Sequence, residues 1–124
     1  MAIEDKMQAI HKLITSIGML GEAYSTLGNQ YDAATPVNKS EIAVEMAELN
    51  QELLAQKIFL SHLQAAASEV AQPTPTSYKQ LDDGLATLAQ MKTATGNLQK
   101  LLQLASALAG KAAGTRKEVS ARTT

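Results

Sequence analysis

No cysteine occurs in the 124-residue sequence, so disulfides, thiolate catalysis and Cys-ligated zinc are excluded together. Aromatic side chains are almost as scarce: Tyr24, Tyr31, Phe59 and Tyr78 are the whole set. Clusters of Val, Ile, Thr and aromatic residues, which favour strands, are missing, and no β-sheet is expected. No run of about 18 apolar residues exists, so no bilayer-spanning segment is predicted. Near the start, Glu4 and Asp5 interrupt the apolar residues, unlike a secretory signal. The expectation is a soluble cytoplasmic protein, with export by a route that needs no cleaved signal left open.

Strong charge of one sign is lacking too. The net charge is −1, but it is unevenly spread. Residues 1–72 hold nine acids and four lysines, a net of −5, whereas residues 73–124 hold seven bases and three acids, a net of +4. Opposite halves can attract within one fold or between two copies. Neither half is basic enough to imply nucleic acid, and Lys111, Arg116, Lys117 and Arg122 have no interleaved aromatics.

Heptad-spaced apolar residues are what the sequence has instead. Between the Pro36 and Pro73–Pro75 breaks, Ile42, Met46, Leu49, Leu53, Gln56, Leu60, Leu63, Ala67 and Val70 follow at alternating steps of four and three. That rhythm keeps one side of a helix facing a partner. The first segment carries two such lines: Ile3, Met7, Ile10, Ile14, Ile17, Gly21, Tyr24, Gly28 and Tyr31, and beside it Leu13, Leu20 and Leu27. Two adjacent lines suit a helix that touches two neighbours. Gly18, Gly21 and Gly28 each cost about 1 kcal/mol in a helix interior. Close approach by a neighbouring helix of the bundle is the preferred explanation, and a half-helix that opens for a partner is the alternative.

The third segment is less regular. Leu81, Leu85, Leu88 and Met91 begin a seam, Lys92–Asn97 interrupts it, and Leu98, Leu101, Leu102, Ala105 and Leu108 resume it. One helix weakened near Thr95–Asn97 is expected, with a real break there as the alternative. Helix two is predicted to start either at Thr35–Pro36 or at an Asn38/Glu41 capping box. Pro73-Thr74-Pro75 should end it, and Ser77 with Gln80 should cap helix three. The predicted fold is all-α: an antiparallel up-down-up three-helix bundle of helices 2–34, 38–72 and 77–110. Residues 1–113 would form the domain, and 114–124 a flexible, disordered basic tail.

Little in the sequence supports chemistry. Di-metal bundles use Glu-x-x-His to present two ligands to one ion, but Phe59 precedes His62 by three residues and Gln8 precedes His11. Neither histidine has a second four residues away, and no G-x-S-x-G elbow or P-loop spacing occurs. No catalytic residue, metal site or cofactor is expected. A weak ligand-site alternative places Tyr24, Tyr31 and His62 around a cavity beside Gly21 and Gly28. Glu41, Glu45, Glu48 and Glu52 form an acidic strip, read as a solvated face, a docking strip for a basic partner, or a partner for the basic half. Gln56, a polar residue in an apolar seam, sets register or faces water; Thr95 is a candidate partner for its amide.

The most suggestive surface is Leu98, Leu101, Leu102, Leu104, Ala105 and Leu108. A helix this apolar has area left over after packing in a three-helix bundle, which marks an interface. The expected function is therefore non-enzymatic: an adaptor, chaperone-like partner or assembly subunit working through protein contact, self-association included. The alternative is association of 98–113 with a membrane surface.

Overall fold

A computed structural model describes residues 2–65 and 79–121. All of its regular elements are helices: α1 Ala2–Tyr31, α2 Pro36–Ala65, α3 Lys79–Thr93 and α4 Leu98–Ala121. The all-α class is as expected, but there are four helices rather than three. The expected proline stop at 73–75 and the cap at Ser77 lie outside the described residues.

The extra helix comes from a complete break between Thr93 and Leu98, the alternative to the single weakened helix that was preferred. Ala94 N still donates to Gln90 O, but Asn97 N then donates to Ala94 O at 2.9 Å and closes a tight turn. The Asn97 carboxamide Oδ1 accepts from Lys100 N at 3.2 Å, capping the first turn of α4. Thr95, Gly96 and Asn97 are poor helix formers, so the helical alternative had little to hold it. At the other turn Thr35 is the cap: its Oγ1 accepts from Asn38 N at 3.3 Å and its carbonyl from Lys39 N at 2.8 Å. Pro36 thus opens α2 at the position where a missing N–H is harmless.

The helices occupy the corners of a square. α1 packs on α2, α3 packs on α4, and the two hairpins meet through α2–α4 and α1–α3, with α1 also touching α4 across the diagonal. α2 and α3 make no contact among the described residues. Gly84 lies against Met19, and Lys92 reaches Glu22, so α3 runs parallel to α1. Ala34, Ile42, Thr95 and Leu98 line one shallow depression, which places both short turns at the same end of the bundle.

The core follows a heptad rhythm, and on α1 it takes the line through Leu13, Leu20 and Leu27 more fully than the one beside it. Ala9, Leu13, Ser16, Leu20, Ala23 and Leu27, at steps of four and three, are fully buried. α2 contributes Ile42, Leu49, Gln56 and Leu63, each seven apart. α4 contributes residues right along its length, from Leu101 to Val119. The expected flexible tail from residue 114 is therefore corrected: its first residues form the last turns of α4, held down by buried Thr115 and Val119. Burying these two side chains stabilises turns whose apolar line is masked in sequence.

The glycines are corrected as well. A Cβ at Gly18 or Gly21 would meet nothing within 4 Å, and at Gly28 only the Met46 Cε at an ordinary 3.6 Å. The close approaches are those of α3 to α1, at Gly84, and of α4 to α3, at Gly114. A Cβ on Gly84 would come within 2.8 Å of Met19 Sδ, and one on Gly114 within 2.9 Å of Gln80 Cγ.

Candidate functional site

The leucine-rich start of α4 is not a free surface. Leu101, Leu102, Ala105 and Leu108 are buried in the core, and Leu98 and Leu104 are half-buried against it. The reason is the break at 94–97: it folds α4 back along α3, so a corner helix of a four-helix square covers more of its circumference than a peripheral helix of three. The same burial leaves these leucines unavailable to a lipid surface.

Polar groups inside the bundle gather around Gln56. Its side chain is fully buried, and Nε2 donates to the Ala112 carbonyl of α4 at 2.9 Å and to Glu52 Oε2 at 3.2 Å. Thr95 is not the partner. Glu52 also receives Arg116, through Nε at 2.7 Å and Nη2 at 3.2 Å, a bidentate pair that fixes α2 against α4. That hydrogen bond is the main reason the guanidinium holds its proton beyond its usual range. Lys92 and Glu22 make a second link between the acidic and basic halves, at 3.3 Å but well exposed, and so weak. Gln56 Oε1 and Ser16 Oγ are buried without a hydrogen-bond partner among the described residues.

The acidic strip separates into unlike members. Glu52 is committed to Arg116, while Glu41 and Glu48 are exposed. Glu45 has its inner oxygen turned away from water with no donor in reach. Burial, then the charge of neighbouring Glu48 and a hydrogen bond with it, raise its pKa from 4.5 to about 7. Protonated Glu45 can give that hydrogen bond; ionised Glu45 cannot.

No group of three His, Asp or Glu residues that could hold a metal ion occurs among the described residues. His11 and His62 are exposed. Tyr24 and Tyr31 do share a groove, with Ala43, Met46, Ala47 and Asn50, but it is an open trough between α1 and α2 that His62 does not reach. No described helix is long and apolar enough to cross a membrane.

What remains is apolar surface on the outside of the α1–α2 hairpin. Among the described residues, eight of the nine large exposed hydrophobics are on these two helices or their first turns: Met7, Ile14, Tyr24, Tyr31, Val37, Val44, Leu54 and Ile58. Val37, Val44 and Ile58 are 71%, 66% and 59% exposed. The predicted α1 seam is split between two environments: Ile10 and Ile17 are half-buried, while Met7, Ile14, Tyr24 and Tyr31 face outward. On α2 the outward residues lie off the heptad seam and so outside the predicted helix contacts. Their signal was present in the sequence, since Val44, Leu54 and Ile58 are apolar residues that the seam does not use.

Comparison of the chain with protein-family models, curated proteins and solved structures finds no match.

Proposed function

We propose that this four-helix bundle is a non-enzymatic protein-contact module, an adaptor, chaperone-like partner or assembly subunit, acting through the outer face of α1 and α2. The observation that carries the reading is the concentration of exposed apolar side chains there, against a single one, Leu85, on the α3–α4 hairpin. Soluble domains keep such contiguous patches small unless a partner covers them. Support also comes from the trough between Tyr24, Tyr31 and Ala47, which gives the face relief a partner side chain can enter. The acidic strip lies along the other edge of α2, toward Ala109 and Ala113 of α4, and stays outside the contact.

The test is capture from the native extract with tagged wild type and with Ile14→Glu. Position 14 is half exposed, so the substitution leaves the core alone. Partners held by wild type and lost by the variant are expected. An identical set of captured proteins for the two chains would refute the reading.

A further inference from the structure

Resting on the protein-contact reading, we infer that the occupant of the α1–α2 outer face is a second copy of this chain, packed about a two-fold axis. Three observations carry this. α1 has two heptad lines: its own bundle buries the one from Ala9 to Leu27 and half-buries Ile10 and Ile17 of the other. The other, through Met7, Ile14, Gly21 and Tyr24, keeps a period that fits the side of another helix. Gly18 and Gly21 are then accounted for: no described atom lies within 4 Å of a Cβ built on either, so no packing among the described residues requires them. A helix from outside, crossing close to the α1 backbone, would.

Charge selects the partner. The face holds no acidic residue between Met7 and Tyr31 on its α1 side: Glu22 is turned to Lys92 of α3. On α2 the outward positions Val44, Ala47, Gln51, Leu54 and Ile58 are uncharged. Lys39 is held over the Tyr31 ring at 5.2 Å. A neutral apolar face is matched by another of the same kind, and a two-fold contact supplies it by pairing the face with itself. The extent also suffices. Twenty-five residues of helix run about 37 Å and two packed helices are about 20 Å wide, a footprint on the order of 700 Å² per copy, close to the usual 800 Å² of a specific interface.

The test is sedimentation of the full chain from micromolar to millimolar concentration, wild type against Ile14→Glu, Leu54→Glu and Gly21→Leu, with helix content checked by circular dichroism. Wild type should populate a dimer. Each glutamate variant should raise the dissociation constant on the order of a hundredfold, because an unpaired charge would be buried. Gly21→Leu, whose Cβ would meet no described atom within 4 Å, should keep the fold and still weaken the dimer. A wild type that stays monomeric throughout, or a dimer indifferent to all three substitutions, overturns the inference. The parent reading is judged separately: a monomeric wild type whose captured partners disappear with Ile14→Glu would defeat self-association and leave protein contact standing.

Discussion

Gly84 and Gly110 belong to the same α3–α4 hairpin, yet alanine should move stability in opposite directions at the two positions. Gly110 is exposed and a Cβ there meets nothing within 4 Å. Gly110→Ala should recover the helix-propensity deficit of glycine, about 1 kcal/mol. Gly84 is buried, and its Cβ would stand 2.8 Å from Met19 Sδ, 2.9 Å from Met19 Cε and 3.3 Å from Lys111 Cβ. Ordinary carbon contacts need about 3.5–4.0 Å, so something must move by about 1 Å. Methionine is usually adaptable, but Met19 is itself only 2% exposed, so its thioether must shift within the core and not into solvent. Overpacking of this kind costs about 1–3 kcal/mol, which outweighs the propensity gain and leaves a net loss of about 1 kcal/mol. The two variants should therefore differ by about 2 kcal/mol, or on the order of 8 °C in melting temperature for a domain this size. Thermal and urea unfolding followed by circular dichroism measures the difference. In the Met19→Ala background, Gly84→Ala should change sign and stabilise by up to about 1 kcal/mol, since only Lys111 Cβ at 3.3 Å then opposes the propensity gain. Stabilisation by Gly84→Ala equal to that of Gly110→Ala would refute the close packing of α3 against α1 and α4.

Three other outcomes follow from the same geometry. Glu45 keeps its proton in the folded chain up to about 7 but loses it near 4.5 when unfolded, so its contribution favours folding at low pH and is lost as pH rises through that window. Because the carboxyl is partly open to water, a loss of about 1 kcal/mol is expected; Glu45→Gln should flatten this part of a stability–pH profile, and an unchanged slope would count against it. Gln56→Leu removes a buried amide whose Oε1 has no partner, so it should be neutral or stabilising by about 1 kcal/mol in urea unfolding. Tyr24→Ala should cost about 1–2 kcal/mol, below the 3–5 kcal/mol of a core aromatic, because the ring is 38% exposed.

The sequence carried the helices and their ends more clearly than their faces. Thr35-Pro36 and Thr95-Gly96-Asn97 are local signals, and both act locally in the fold through Thr35 and Asn97 caps. Facing is a tertiary property. α1 has two apolar lines of equal regularity, and only the presence of α3 and α4 decides that Leu13, Leu20 and Leu27 point inward. Mistaking the third segment for one rod also displaced the candidate surface, since an unbroken helix would have left Leu101 and Leu108 uncovered. Gln56 was legible as a special position, but its partner was not, because the register of α2 against α4 brings up Ala112 and not Thr95. The last turns of α4 were harder to read: buried Thr115 and Val119 continue its four-and-three line from Leu108 and Ala112, but the polar Thr115 and the surrounding Lys111, Gly114, Arg116 and Lys117 mask it.

With both tight turns at one pole, Ala2 and Ala121 emerge together at the other. Tension applied between these ends would peel the hairpins apart a turn at a time, as a zipper opens, and should meet little resistance. Pulling instead between the Thr35 turn and Ala121 would load the length of the α2–α4 contact in shear, so that the Glu52–Arg116 clasp and the leucine layers must give way together. The molecule should thus be mechanically soft along one axis and stiff along the other.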